Sequence, residues 1–454
     1  MRISRKLSRR GFLRSAAASL ATPYVITTTA LGQGEIPPAS QRVAMGFIGT
    51  GGRGTSVMQG ILSHPAAQAV AVCDVDARHR EPALRSCGLP PEAGYNDFRE
   101  LLGRDDVDAV MIATPDFWHG VMCCAAARAG KDVYCEKPLS LTVPQGRAIV
   151  RTAERYGRIF QTGTQRRSMD VCRRCAEMVQ SGFVGELRRI DVRIPGGYWV
   201  NRTPGVPYVN PVWETLPANR WTPFETFSYD LKPAPVPEGF DYDLWLGPAP
   251  WRPYTPALSH RNWRWILDYG GGFITDWGAH LLDVAQWGHG TDDTGPVEVE
   301  GTGWAPSEGV YNTPTVFDIR YTWADGVQMT LGTVKDTGQV TSRFVGTEGE
   351  LWIEGDGLRS QPESIAKRRV GQDDVHLYRS EQHQHNFIDC VKSRKPTVAP
   401  AETGHRAISI AHIGLISIRL GGRRLRWDPA AERFAGDDEA NRMLDRALRQ
   451  PWRV

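Results

Sequence analysis

Apolar residues fall in short runs, and glycine, proline and charged residues mark the breaks between them. The run at 43–48 meets Gly49-Thr50-Gly51-Gly52-Arg53-Gly54. A helix is predicted over 55–63, and a second run at 69–73 ends on Asp74. The alternation continues with predicted helices over 97–103, 119–129 and 143–156, the last two closed by Gly130 and Gly157. Strands are predicted over 107–113, 132–135 and 159–162. Strand and helix at this pace predict an α/β unit, a doubly wound parallel sheet with helices on both faces, over 41–165.

Beyond it the period changes. A helix is predicted over 169–181 and a strand over 186–194, followed at 195–260 by a long stretch rich in Pro, Trp, Tyr and Asn without a clear period. A stretch of that length within a packed unit is a functional cover or an insertion. A helix over 276–287 precedes five strand-like runs, at 297–303, 315–323, 327–334, 341–345 and 350–353. Successive strands of this kind predict an open, largely antiparallel sheet. Helices over 385–392 and 402–420 complete a second α/β unit over 166–422, and 423–454 reads as a charged extension.

Composition adds little to that frame but excludes some partners. The 454 residues carry a formal net charge of +3, which favours neither a nucleic acid nor a membrane surface. The N-terminus is distinct. Ser8-Arg9-Arg10-Gly11-Phe12-Leu13-Arg14 is similar to a twin-arginine export signal, and a mildly apolar stretch with small residues at Ala30-Leu31-Gly32 follows. We expect 1–32 to be a signal read by the twin-arginine machinery, with no stable membrane span and a periplasmic or otherwise exported product. That route carries folded proteins into a compartment poor in free dinucleotide, so a dinucleotide enzyme sent there is expected to travel with its cofactor bound.

The eight cysteines form no disulfide framework. Cys172-Arg173-Arg174-Cys175 has C-x-x-C spacing but no second pair, and His383 and His385 are weak ligands, so no metal site is expected.

The glycine turn has a specific chemistry. Gly49 permits the tight turn, Gly51 lets backbone N–H groups reach a pyrophosphate, and Gly54 allows close packing of helix and strand. The helix N-terminus offers partial positive charge to the phosphates, and Thr50, Gly52 and Arg53 belong to the same loop. Asp74, 25 residues beyond Gly49, suits adenosine ribose hydroxyls and repels a 2′-phosphate. NAD is therefore favoured over NADP, with Arg53 as the group nearby that could meet a 2′-phosphate.

Two further patterns lie at the carboxyl edge of the same sheet, where open α/β folds bind ligands. They are Ala113-Thr114-Pro115-Asp116-Phe117-Trp118-His119 and Glu136-Lys137-Pro138. In the second unit, Asp276 and His280 are four apart and share one face of a continuous helix.

Together these features resemble the glucose–fructose oxidoreductase / inositol dehydrogenase (Gfo/Idh/MocA) family, from about residue 41 to the extension. The resemblance implies a Rossmann domain followed by an α/β domain with an open sheet. It implies hydride transfer at a carbinol carbon of a sugar, polyol or related substrate. By the same resemblance Lys137 reaches both the reacting hydroxyl and the nicotinamide ribose of the cofactor, His280 is the general base, and Asp276 orients and charge-balances the site. Thr114, Pro115, His119, Glu136 and Gln165 would line the cofactor. Some relatives use bound NAD transiently to cleave glycosides, and a non-catalytic nucleotide-binding relative is a further alternative. Tyr198, Trp199, Trp213, Trp221, Trp245 and Trp251 offer flat faces for a sugar, and Trp263, Trp265 and Tyr269 could border the pocket. The open sheet face leads us to expect a homo-oligomer.

Overall fold

The computed structural model describes residues 37–194, 232–256, 258–305, 310–333 and 341–454. The export signal and the aromatic residues Tyr198, Trp199, Trp213 and Trp221 lie outside the described residues.

The first half is a six-stranded parallel sheet in the order β3-β2-β1-β4-β5-β6. Its strands are β1 (Val43–Ile48), β2 (Ala67–Cys73), β3 (Gly94–Tyr95), β4 (Ala109–Ile112), β5 (Asp132–Cys135) and β6 (Phe160–Thr162). The interior strands β4 and β5 are buried at every position, as expected where helices cover both faces. The helices are α1 (Gly52–Leu62), α2 (Ala77–Cys87), α3 (Phe98–Leu102), α4 (Asp116–Arg128) and α5 (Val143–Arg155). The helix α1 starts three residues earlier than its periodicity predicts, because the glycines Gly52 and Gly54 are themselves helical. The sequence pattern missed α2. It is largely charged and carries Pro82 inside it, yet Asp76 caps it by accepting from the Arg78 N–H.

The helix α6 (Asp170–Gln180) leads into a nine-stranded sheet in the order β13-β12-β11-β7-β10-β9-β8-β14-β15. Its strands are β7 (Leu187–Ile194), β8 (Glu298–Trp304), β9 (Val316–Thr322), β10 (Gln328–Thr333), β11 (Thr341–Gly346), β12 (Glu350–Glu354) and β13 (Gly357–Gln361), with β14 (Leu425–Asp428) and β15 (Arg433–Phe434) added at one edge. Only the β7–β10 pairing is parallel. Along β9, Phe317, Ile319 and Tyr321 point into the core and alternate with outward Val316, Asp318 and Arg320.

Between β7 and β8 lie α7 (Tyr242–Leu246), α8 (Gly272–Asp276) and α9 (Gly278–His289). After β13 come α10 (Ser364–Lys367), α11 (His383–Ser393), α12 (Ala401–Arg419) and α13 (Asp438–Arg442). The inner face of the large sheet packs against α9 and α12.

Two expectations are corrected. The stretch 423–454 is not a bare charged extension. Leu425 pairs with Val299 of β8, and Leu425, Trp427 and Phe434 are buried, so the segment closes one edge of the sheet. The helix expected over 276–287 is interrupted at Trp277. The Trp277 carbonyl accepts from both His280 N–H (3.0 Å) and Leu281 N–H (3.2 Å), and Asp276 closes one helix while Gly278 opens the next, in whose first turn His280 lies. Asp276 and His280 are therefore not rows of one continuous helix.

Among the described residues all eight cysteines are free, and seven are buried. Burial holds Cys123 and Cys175 well above the ordinary thiol range, which fits inert packing. Among the same residues, no helix is long and apolar enough to cross a membrane.

Candidate functional site

The turn from β1 into α1 needs its glycines. Gly49 sits at φ +79°, and a side chain on Gly54 would collide with the Gly49 carbonyl. Gly51 precedes α1 without any side-chain cap, so the first N–H groups of the helix stay available to an anion. Asp74 ends β2 and is buried. Its Oδ2 accepts from Thr50 N–H at 2.7 Å and its Oδ1 from Asp76 N–H at 2.9 Å. Burial raises its pKa, but the net shift is downward, because His79 and these two N–H groups favour the carboxylate.

Around this turn lies a cavity of about 810 Å³, part of it open to solvent. Gly49, Gly51, Gly52, Arg53, Gly54 and Asp74 form its inner wall, together with Thr114 and Pro115 at the end of β4. Its outer wall comes from the second half of the chain, through Leu244, Trp245, His260, Trp263 and Arg264. An uncapped helix start beside a buried carboxylate, under an aromatic cover, fits a dinucleotide: pyrophosphate on the loop, ribose toward Asp74.

Not every expected cofactor residue stands on that wall. His119 is fully buried within α4; its Nδ1 lies 2.7 Å from the Pro138 carbonyl and its Nε2 3.0 Å from the Thr114 carbonyl. It ties the β4 and β5 loops together, because both polar edges of the ring are already used. Glu136 is buried behind the loop. Its Oε1 accepts from Arg53 Nη2 (2.8 Å) and Gln165 Nε2 (3.0 Å), so it orients Arg53 and Gln165.

Next along β5's exit, Lys137 crosses to the second half of the chain. Its Nζ lies 2.8 Å from Asp276 Oδ1 and 3.1 Å from the Asp276 carbonyl. Arg264 Nε stands 3.5 Å from the same Oδ1, which links this group to the cavity wall. Burial opposes ionisation of Asp276, yet Lys137 and Arg264 hold it well below the usual carboxylate range. His280 is pushed well below its ordinary pKa, first by burial and then by the positive charges of Lys137 and Arg166. Its ring is thus neutral at pH 7, and its Nδ1 is buried without a hydrogen-bond partner.

Four charged residues that sequence reasoning did not select belong to this neighbourhood. Arg264 sits between two tryptophans, and Arg166 directly follows Gln165. Its neighbour Arg167 is a buried guanidinium paired with Asp283 (2.8 Å) and Asp292 (2.7 Å). Asp116, the first residue of α4, is 4% exposed. Burial raises its pKa to about 7 against the pull of His119, Arg264 and Lys137. His79 contacts Asp74 at 3.7 Å, on the adenosine side of the cavity. Asp116 was legible, since it continues Thr114-Pro115 at a strand's carboxyl end, and Arg166 and His79 adjoin the selected Gln165 and Asp74; Arg264 is brought in by the second half of the chain.

Asp76, His79 and His260 place potential ligand atoms within 4.8 Å of one another. Arg78 already neutralises Asp76, with Nε 2.9 Å from Oδ1, so this cluster reads as a hydrogen-bonded hem of the cavity. His383 is likewise engaged, with Ser168 Oγ at 2.9 Å and the Thr162 carbonyl at 2.9 Å. The aromatic cover is mostly packing. Trp245, Trp263, Trp265 and Tyr269 are buried, and Phe117 meets Trp245, Trp263 and Tyr269 edge-on or tilted; Trp251 alone of these is open, at 63%.

Comparison with known proteins bears on both halves. Residues 43–164 match the profile described as "Oxidoreductase family, NAD-binding Rossmann fold", and residues 216–454 the one described as "Oxidoreductase family, C-terminal alpha/beta domain". A glycosyl hydrolase family 109 protein of Shewanella pealeana is 33% identical over 171 residues, 33% of this chain and 38% of that protein. The α-N-acetylgalactosaminidase of Shewanella oneidensis is 38% identical over 129 residues, 27% of this chain and 28% of that protein. The chain thus spans about a third of the length of the curated relatives it matches. Among solved structures, aldose–aldose oxidoreductase from Caulobacter crescentus, complexed with glycerol, superposes with TM-score 0.61 at 16% identity, covering 85% of this chain and 99% of that one. The WlbA dehydrogenase from Bordetella pertussis, in complex with NADH and UDP-GlcNAcA, gives 0.60 at 16% identity, covering 85% and 99%. At such identities these likenesses establish the fold alone.

Proposed function

The chain belongs to the Gfo/Idh/MocA oxidoreductase family and carries that family's NAD-binding Rossmann domain, and from this premise we propose that it moves a hydride between tightly held NAD and a carbinol carbon of a sugar, polyol or glycoside. The observation that carries the reading is the Lys137–Asp276 pair beside a neutral, buried His280, joined through Arg264 to the dinucleotide cavity.

Bound NAD supplies the two-electron acceptor. His280 takes the hydroxyl proton, which it can do at pH 7 without first losing one of its own. Lys137 donates to the oxygen as alkoxide character grows and its C–O bond gains double-bond character. Asp276 fixes the ammonium and offsets part of the local positive charge. Arg53, aimed by Glu136, and the uncapped start of α1 would hold the phosphates.

A second reading is a glycosidase that works by oxidation, elimination and re-reduction on the same residues. It is favoured by the names of the curated relatives, glycosyl hydrolase family 109 proteins and an α-N-acetylgalactosaminidase. One experiment separates the two. Purified protein is incubated with a panel of free sugars and aryl glycosides, and bound reduced nicotinamide and released aglycone are followed together. Reduced cofactor without aglycone supports the dehydrogenase; aglycone without net reduced cofactor supports the glycosidase. Silence in both channels overturns the enzyme reading in favour of a nucleotide-binding relative.

The same proposal includes export. The Ser8–Arg14 pattern supports passage through the twin-arginine machinery, and a cofactor that travels with the folded protein suits that route. Self-association is also proposed. Its support is the outer sheet face, where Trp304 and Val316 are 52% and 51% exposed among charged neighbours.

A further inference from the structure

We propose that Arg449 and Trp452 are positioning residues for the dinucleotide, buckling the segment that roofs its cavity so that NAD is retained between turnovers. This rests on the reading above that NAD stays bound.

The roof is the outer cavity wall, formed by Leu244, Trp245, His260, Trp263 and Arg264. Its adenosine end is sewn to the loop after β2. Ala77 N–H donates to the Gly239 carbonyl at 2.9 Å, Asp241 N–H to the Val75 carbonyl at 2.9 Å, and Asn96 Nδ2 to Asp241 Oδ2 at 2.8 Å. A second set of contacts lies a few residues further along the chain. There α7 finishes at Leu246 and the chain turns through Gly247-Pro248. A helix end leaves carbonyls without partners. Arg449 adds donors here: its Nη2 donates to the Asp243 carbonyl at 2.7 Å, which also accepts from Gly247 N–H at 2.9 Å, and its Nε to the Gly247 carbonyl at 2.7 Å. Its Nη1 pairs with Asp243 Oδ1 at 2.6 Å, and its own N–H donates to the Pro248 carbonyl at 2.9 Å. A planar fork suits this set of acceptors; a lysine would not reproduce it.

Three residues further on, Trp452 packs against the first half of the chain. Its ring meets Trp118 at 4.6 Å and Phe98 at 6.0 Å, and Arg99 lies over it at 5.1 Å. Trp118 and Phe98 both line the dinucleotide cavity. Trp118 in turn donates from Nε1 to the Trp245 carbonyl at 3.0 Å, and Gly247, at φ +46°, is pressed so close to the Trp118 ring that a side chain there would collide with it. Trp452, Trp118, Trp245 and Gly247 therefore form one continuous packed stack between the 443–454 segment and the roof. Parting the roof from the glycine loop would break the Trp118–Trp245 hydrogen bond together with the Arg449 contacts, and Trp452 backs the Trp118 ring on which Gly247 rests.

The test is retention and exchange of NAD in the full chain. Wild type, Arg449→Gln and Trp452→Ala are desalted, and nucleotide in the denatured supernatant is quantified. NADH affinity and release on dilution into excess NAD are read by fluorescence. Arg423→Ala is the control. It removes the pairs to Asp437 (3.0 Å) and Glu439 (2.8 Å) in the same extension, away from the roof. We expect wild type and Arg423→Ala to retain NAD, and the two roof variants to release it about tenfold faster or more, as loss of two guanidinium hydrogen bonds implies. Release within twofold of wild type in both roof variants overturns the proposal. If wild type itself loses NAD on desalting, resident cofactor use falls. The buckle is then decided by the ratio of NADH affinities, unchanged affinity overturning it. If one roof variant does not fold, the other decides.

Discussion

The Lys137 ammonium lies 2.8 Å from Asp276 Oδ1, across 139 positions of sequence, and joins the exit of β5 to the end of α8. Neither residue is freely exposed, and the carboxylate also faces Arg264. Exchanging Lys137 for Met removes the donor to the reacting oxygen while leaving Asp276 a cationic neighbour. The expected result is a fall in kcat of about 10²–10⁴-fold with NAD content unchanged, since the glycine loop and Asp74 are untouched. Asp276→Asn should lower kcat as well, by leaving two cations without their shared anion. Turnover at the wild-type rate in Lys137→Met would remove Lys137 from the chemistry.

His280 gives a pH signature. Its pKa lies well below the ordinary imidazole value because burial and the charges of Lys137 and Arg166 disfavour the imidazolium. A base must be neutral to act, so kcat/KM should hold steady as pH drops through about 6.5, where an unperturbed histidine would already be protonating. The acid limb should appear only at lower pH. Removing a positive neighbour with Arg166→Gln should raise the His280 pKa and move that limb upward. Titration of the His280 ring by NMR reports the same displacement without substrate. An acid limb unmoved by Arg166→Gln would mean the two groups do not interact.

The first sheet was readable from local pattern because each βα unit declares itself within a few dozen residues: an apolar run, a glycine or proline break, a helical period. The acid at Asp74 and the Lys137 loop follow from the same logic. Less of the second half was readable. The interruption at Trp277 was not read from the helical spacing that runs across it, and α2 hid behind charge and Pro82. β14 was overlooked because four residues alternating Leu-Arg-Trp-Asp are too few to separate from a charged tail. His119 was placed on the cofactor by its motif, but its orientation depends on the Pro138 carbonyl, 19 residues on. Arg264 reaches Asp276, and Arg449 reaches Asp243, only through tertiary packing, which no local period encodes.

Asp116 ties stability to pH with a sign opposite to that of most carboxylates. As the first residue of α4 it would ordinarily be favoured as an anion by the helix dipole, worth about 0.3–2 kcal/mol. Burial outweighs this, and the nearby Asp276 adds to it, so that its pKa rises to about 7 despite His119, Arg264 and Lys137. An unfolded aspartate ionises near pH 3.9. Between these limits the folded protein holds a proton that the unfolded chain has lost, so stability declines as pH rises from about 4 to about 7. The decline from this one group is on the order of a few kcal/mol. Asp116→Asn keeps the shape and cannot ionise. Its stability relative to wild type should therefore increase as pH is raised through this range, read as the difference in urea midpoints at pH 4.5, 6 and 8. Parallel curves for the two proteins would show that Asp116 is already ionised in the folded state, held by Arg264 and Lys137 more strongly than burial opposes it.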